Sequence, residues 1–523
     1  MRHWFLIVLS MVLGTFLSPV QADDAHSLAI SEPAPIQIPT LSQINHDWSD
    51  ADINDLVAAL YDAQSHGLPS LDDIAFSLTD ETLSPDMRSE MAAQAYLRFA
   101  GWLRYGLLDQ ETLQLRMSSQ EEINVLWDHL RQGLVSHSVR QSLENLVPPV
   151  RDYASLRVEM MRLLAYQPIW SGIDEGPTLR HGDAGERVEQ LRIRLAAEGL
   201  YVSEWDEDSP FELRLETAVR RFQGRVKLDP SGRMDADTLA QLNLSPLHRM
   251  NQLRTNMEQR RWRSHNLGRR HIWVNLANFS LEAWEDGVLA REHQVMVGRD
   301  YSSTPEFSEE MRYLVLNPWW GLPSGLATTQ FQAIRRNPDL VRREGFRVFD
   351  SYGNSVSAYD IDWSQWGRVW PYRMSQAPGP TNPMGEVKFI FPNIHNVYLH
   401  DTTHRDEFGR TRRDMSAGCV RVQDPLSLAQ WILEDQDGWG RDQIDEVVAG
   451  NSPTVIWLDE RMPVHIAYWT VVGGEDGEVR YLNDLYGRDN RVIEAFMRAF
   501  ESPQRLGGRG NGSNMVMLDS ILD

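Results

Sequence analysis

The stretch Val397-Tyr398-Leu399-His400-Asp401-Thr402, followed after a polar, arginine-rich run by Ser416-Ala417-Gly418-Cys419-Val420-Arg421-Val422, decides how the chain is read. His400 closes an apolar strand, which holds its ring in place. Cys419 follows Gly418 in a small-residue turn, where a main chain approaches a substrate closely. The two belong together chemically. A thiol at neutral pH is only a few per cent thiolate, and a neighbouring imidazole is the usual means of drawing off its proton. The N–H groups of Gly418 and Cys419 then stand where a developing oxyanion needs donors. Each residue also has a plainer reading. An isolated histidine is more often a core or surface residue, and His395 and His404 flank His400 as alternative bases. Arg405, Arg410, Arg412 and Arg413 suit a solvated loop, and Ser416 suits a turn cap. The joint pattern outweighs these readings because the only cysteine of the chain falls within it.

Strand patterns surround this stretch. Ile272, Val274 and Leu276 alternate with polar or smaller neighbours, Asp286-Gly287 is a hairpin turn, and Gln294 to Val297 form the returning strand. Further strands are expected at Tyr313 to Leu316, Val387 to Phe391, Asn396 to His400 and Thr454 to Leu458. The change to strands is placed directly after Leu247. Residues 248–500 therefore read as a mainly β domain with an insertion at about 328–376. That insertion has a helical start and many aromatics, among them Phe331, Phe346, Phe349, Tyr359, Trp363, Trp366, Trp370 and Tyr372, and reads either as a lid or as a decoration that buries its own rings. Residues 45–176, with adjoining segments, have a helical period. Ser119 and Glu122 make a capping box ahead of Ile123, Leu126, Trp127 and Leu130. Residues 177–245 form a small unit of two amphipathic helices and a short third. The fold class is multidomain α+β.

The ends and the composition bound the compartment. Arg2 and His3 precede an apolar run from Trp4 to Leu17 and a small-residue site ending at Ala22, the layout of a secretory signal peptide at 1–22. The run is shorter than the roughly 20 residues a bilayer-spanning helix needs, so no stable membrane anchor is expected. Residues 23–44 read as a leader and 501–523 as a disordered, glycine-rich tail. A formal charge of -23 argues against nucleic acid, whose phosphates need Lys and Arg clusters. A single cysteine cannot make a disulfide within the chain. No His, Cys and Asp cluster has zinc spacing, so neither metal nor organic cofactor is expected.

Two resemblances follow from these residues. Residues 177–245 resemble the peptidoglycan-binding module of many wall enzymes through Gly182, Gly185, Gly199, Phe222, Gln223 and Gly232. They depart from it at Asp208 to Glu216, where Ser209, Pro210 and Phe211 replace a glycine-containing turn. The alternative to glycan binding is a structural spacer. Residues 248 to about 500 resemble the YkuD-type L,D-transpeptidase domain, whose motif is a His, a short spacer and then Ser/Thr-His-Gly-Cys. The large YcbB-like periplasmic members share Asn275 with Phe279, Val297-Gly298 with Thr304-Pro305, Asn317-Pro318 with Trp320 and Pro323, Pro383-Met384-Gly385, and Tyr398 to Thr402. Ala417 stands where smaller relatives have His, and YcbB-like members also have a small residue there. That leaves His400 as base.

The resemblance implies a periplasmic, wall-associated enzyme acting on peptidoglycan stem peptides and glycan. Cys419 is its nucleophile, His400 its proton donor and acceptor, and Gly418 its oxyanion turn. Tyr398, Ser416 and Arg421 are its substrate-side residues, Arg421 as an anchor for a stem carboxylate. The implied reaction is transfer through a Cys thioester to give 3-3 crosslinks. Two rivals are a hydrolase using the same site and a non-catalytic wall-binding scaffold.

Overall fold

The structure, a computed structural model, describes residues 48–500 apart from 117, 166–171, 203–208, 264–265, 323–331, 338, 358, 363–371 and 475. The expected signal peptide, leader and tail lie outside the described residues, as do Phe331, Trp363, Trp366 and Trp370 of the insertion. Among the described residues no helix is long and apolar enough to cross a membrane.

Serine caps start the three longest of the first five helices. Ser49 and Asp52 form a capping box on α1 (Asp50–Tyr61), which α2 (Asp72–Leu78) follows. Ser84 caps α3 (Pro85–Tyr105), with proline in the first turn where no N–H is missed. Ser119 and Glu122 form the expected box on α4 (Gln120–Val135), ahead of α5 (Val139–Glu144). These helices bury Leu56, Tyr96, Phe99 and Leu130 in one core, which Val492 and Phe496 of the last helix, Arg488–Phe500, enter from the far end of the chain.

A second core joins α6 (Tyr153–Ala165) to α7 (Glu186–Ala197), α8 (Leu213–Arg225) and α9 (Ala236–Leu242). Gln223 shows why the Phe-Gln and Gly positions recur here. Its side chain is fully buried, accepts the Gly232 N–H at 2.9 Å and donates to the Arg233 carbonyl at 2.8 Å, tying α8 to the loop before α9. Phe211 is buried in the same core, and its main chain exchanges hydrogen bonds with Asp183 and Gly182. The unusual turn therefore supplies a core ring.

Strands do not begin directly after Leu247. Ser245 caps a further helix, α10 (Pro246–Arg261), and the first strand starts at Arg270. The helix escapes a pattern search because its buried residues are largely polar, leaving no apolar stripe. Glu258 and Arg261 pair at 2.7 Å, both completely buried, and Glu258 accepts the Leu108 N–H at 2.6 Å. Arg260 donates to Asp152 at 2.9 Å and to the Val471 carbonyl at 3.0 Å. Met250, Leu253 and Met257 enter the second core.

The catalytic-side strands are β1 (Arg270–Asn275), β2 (Ser280–Glu285), β3 (Val288–Gly298) and β4 (Phe307–Leu316). Asp286 and Gly287 both have positive φ, 49° and 75°, which gives the β2–β3 hairpin its tight turn. Between β4 and β9 (Val387–Ile390) the insertion builds its own sheet from β5 (Trp320–Gly321), β6 (Phe346–Phe349), β7 (Ser355–Val356) and β8 (Arg373–Gln376), in the order β5-β8-β6-β7. Its core holds Ile334, Val341, Phe346, Val348 and Met374, with Val341 on the short helix Asp339–Arg343, so the expected helical and aromatic insertion also carries a small sheet. Then come β10 (Leu399–His400), β11 (Asp414–Ser416), β12 (Val420–Val422) and the long β13 (Thr454–Ala467). The main sheet runs β11-β3-β12-β10-β9-β4-β13-β1-β2, and an added β2–β3 pairing closes it into a barrel with β11 outside the ring. Alternate residues such as Val297, Leu314, Phe389, Leu399 and Val420 share one core with Leu428 and Trp431 of the helix Pro425–Leu433. The hairpin of β14 (Val471–Gly473) and β15 (Val479–Tyr481) sends Val471 and Tyr481 into the second core.

Candidate active site

Strand register brings the reactive residues together. β10 pairs in parallel with β12, Leu399 opposite Val420 and His400 opposite Arg421, and antiparallel with β9, His400 opposite Lys388. Leu399, Val420 and Phe389 point into the core, so His400, Arg421 and Lys388 take the opposite face. The Val420 N–H reaches the Tyr398 carbonyl at 3.2 Å, which carries the ladder one step back and sets Tyr398 and Cys419 on that same face.

His400 is buried, and its Nδ1 donates to the carbonyl of Asp401. A carbonyl only accepts, so the proton sits on Nδ1 and Nε2 is left as the acceptor nitrogen. Burial first, then the charge of Arg421, presses the imidazole pKa down to about 3, against the pull of the Asp401 carbonyl. The Asp401 side chain is fully buried and anchors the strand end. It accepts the Glu386 N–H at 2.8 Å and pairs with Arg405 at 2.7 Å. Gly385, with φ 59°, must be glycine, because a Cβ there would overlap the Asp401 carboxylate.

Cys419 is half-buried, its sulfur 3.9 Å from the Asn396 carbonyl. Burial pushes the thiol pKa up, while the Tyr398 N–H and hydroxyl and the charges of Lys388 and Arg421 pull it down, and burial prevails. The resting thiol and imidazole are therefore both neutral. Gly418, with φ 121°, turns the chain into Cys419, a conformation that favours glycine. Ser416 is buried, and its hydroxyl is spent inside the turn: it donates to the Cys419 carbonyl at 2.5 Å and accepts the Gly418 N–H at 3.1 Å. Thr304 braces the turn from outside by donating to the Gly418 carbonyl at 2.8 Å, while Gly298 donates its N–H to Thr304 at 2.9 Å.

Arg421 is mostly covered, 3.8 Å from Glu407. The alternative bases lie elsewhere. His395 is exposed against Phe307, ring centroids 5.0 Å apart, and His404 is exposed on the following loop. Arg413, read as a solvated loop residue, is buried instead and donates to the carbonyls of Val295 and Phe279, both at 3.1 Å. Lys388 was missed by sequence reasoning. Its Nζ lies 3.6 Å from the centroid of the Tyr398 ring. Its one sequence signal was the alternation of Val387, Lys388 and Phe389, which set it opposite two core residues. A cavity of about 540 Å³ lined by Glu386, Arg405, Phe408, Pro425, Arg441 and neighbouring residues lies apart from the sulfur, since neither Cys419 nor His400 lines it.

Residues 269–466 match the family described as the L,D-transpeptidase catalytic domain, YkuD, and residues 184–242 match the "Putative peptidoglycan binding domain". A protein of Haemophilus influenzae named "Putative L,D-transpeptidase" is 32% identical over 222 residues, 42% of this chain and 45% of that one, so the chain matches less than half of that relative's length. Solved structures of L,D-transpeptidases from Xylanimonas cellulosilytica and Stackebrandtia nassauensis are each 14% identical with TM-scores of 0.19. The first covers 56% of this chain and 99% of its own, the second 57% and 97%. The chain thus carries a YkuD L,D-transpeptidase catalytic domain preceded by a peptidoglycan-binding domain.

Proposed function

We propose that this chain is an exported, periplasmic L,D-transpeptidase that joins peptidoglycan stem peptides by 3-3 crosslinks through a thioester on Cys419. The observation that carries the reading is the common sheet face of Tyr398, His400, Cys419 and Arg421, with the His400 tautomer set by the Asp401 carbonyl. In the first step Sγ attacks the carbonyl that follows the L-centre of diaminopimelate in a tetrapeptide stem. The thiol proton passes to His400 Nε2 and from there to the departing amine of the terminal D-alanine. In the second step the side-chain amine of another stem attacks the thioester, gives its proton to Nε2, and the sulfur leaves and recovers that proton. The Cys419 N–H faces the oxyanion, the Gly418 N–H being spent on the Ser416 hydroxyl so that Gly418 serves as the turn; Tyr398 and Arg421 hold the stem, and Ser416 acts by shaping the turn. The peptidoglycan-binding domain keeps the chain on its polymer.

The test is mass analysis of products from defined tetrapeptide stems. Crosslinked dimers with loss of D-alanine are expected, and tripeptides alone would assign the chain to hydrolysis. Because Cys419 is the sole thiol, a carbapenem should add its mass once to the full chain and not at all to Cys419→Ala. An adduct on that variant would refute the nucleophile.

A further inference from the structure

A lysine half-buried beside a thiol, with no carboxylate to answer it, needs an explanation. Antiparallel pairing sets Lys388 opposite His400, while Val387 and Phe389 on either side of it point into the barrel core. The ammonium lies against the face of Tyr398, 3.6 Å from the ring centroid, and the Val420 N–H bond to the Tyr398 carbonyl sets Tyr398 beside Cys419 on the same sheet face. Among the described residues no Asp or Glu forms an ion pair with Lys388, whereas Arg421, the other cation near the sulfur, is drawn toward Glu407. The electrostatic coupling is mutual: the Lys388 charge favours the thiolate, and the sulfur favours the charged lysine. Burial works against both charged forms, so each is most stable when the other is present.

We propose that Lys388 is a positioning residue for the reaction, the fixed cation on Tyr398 that steadies the Cys419 sulfur as thiolate while the thiol proton passes to His400. The inference rests on the transpeptidase reading only in taking Cys419 as nucleophile. Lys388 keeps its own protons throughout: the S–H bond breaks, the proton goes to Nε2, and the electron pair stays on sulfur. The groups that act on the sulfur are Tyr398 and the Asn396 carbonyl of the segment beside it, Lys388 from β9, and Arg421 from β12, itself faced by Arg299 and Glu407. Of these, Lys388 combines a full charge with no competing anion.

The experiment is alkylation of the full chain by iodoacetamide, a neutral reagent, from pH 5 to 10, read by intact mass at the single thiol. In Lys388→Met the alkylation midpoint should rise by about one pH unit, which makes acylation at neutral pH about tenfold slower. Lys388→Arg should recover most of the wild-type profile. Lys388→Gln serves as a second neutral variant should the methionine protein misfold, and it should shift in the same direction. With stem substrate, kcat should fall while KM holds. Superimposed profiles for the wild type and the neutral variants would overturn the proposal, as would an arginine variant displaced as far as the neutral ones, because shape rather than charge would then be at work. Alkylation needs no stem peptide, so this result stands apart from whether the products are crosslinked or trimmed.

Discussion

An imidazole whose pKa is pressed down to about 3 is a standing acceptor at any physiological pH and never a resting cation. In the proposed reaction this sets the pair apart from a thiolate–imidazolium ion pair and makes proton transfer part of the attack itself. Replacing His400 by Ala should therefore slow carbapenem acylation by about 10² to 10⁴ with the fold retained. Acylation at the wild-type rate would move the base to another residue. The same burial has a thermodynamic consequence with a definite sign. The unfolded chain binds a proton on this histidine below about pH 6.5 and the native chain does not until about pH 3, so stability falls as pH drops through that window. Between pH 7 and 5 this single group removes about 2 kcal/mol. Denaturant titrations at both pH values should show that loss in the wild type and a correspondingly smaller one in His400→Gln. Equal losses in the two proteins would place the imidazole in contact with solvent.

Among the elements, the short strands around the site and the polar helix behind it teach opposite lessons about legibility. β10 is only Leu399–His400, yet it was readable, because core and surface residues alternate and chemistry falls on one side. Cys419, His400 and Gly418 were singled out by residue type and spacing, and the proposed function rests on them. Lys388 did not, since a lysine on the exposed-looking side of a strand is ordinary until the fold sets it beside a sulfur. The sheet of the insertion was hidden because β5 and β7 are two residues each and carry no period. α10 was hidden for a different reason: the sequence shows arginines and glutamates, and only tertiary partners reveal that they are buried. Those partners make a sharp prediction. Glu258 is completely buried, and its contacts are the Arg261 guanidinium and the Leu108 N–H. Glu258→Ala leaves a buried cation unanswered and should cost about 3 to 5 kcal/mol, measured by chemical denaturation. A loss below about 1 kcal/mol would mean that water reaches the pair.

For the whole molecule, the peptidoglycan-binding domain is not a bead on a string. Its core takes in Met250, Leu253 and Met257 of α10 and Val471 and Tyr481 of the β14–β15 hairpin. Excising residues 177–245 should therefore do more than weaken attachment to sacculi. It should uncover those side chains and lower the melting temperature of the catalytic part, seen by scanning calorimetry. An unchanged transition would show the unit to be thermally independent. The helix Arg488–Phe500 has a parallel effect on the order in which the first core closes. Val492 and Phe496 sit in a core begun by α1, so helices that start at Asp50 are sealed only once the chain has been made as far as Phe500. A chain cut short before Arg488 would keep every reactive group and yet leave a seam along its oldest helices, open to proteases and to other half-finished copies.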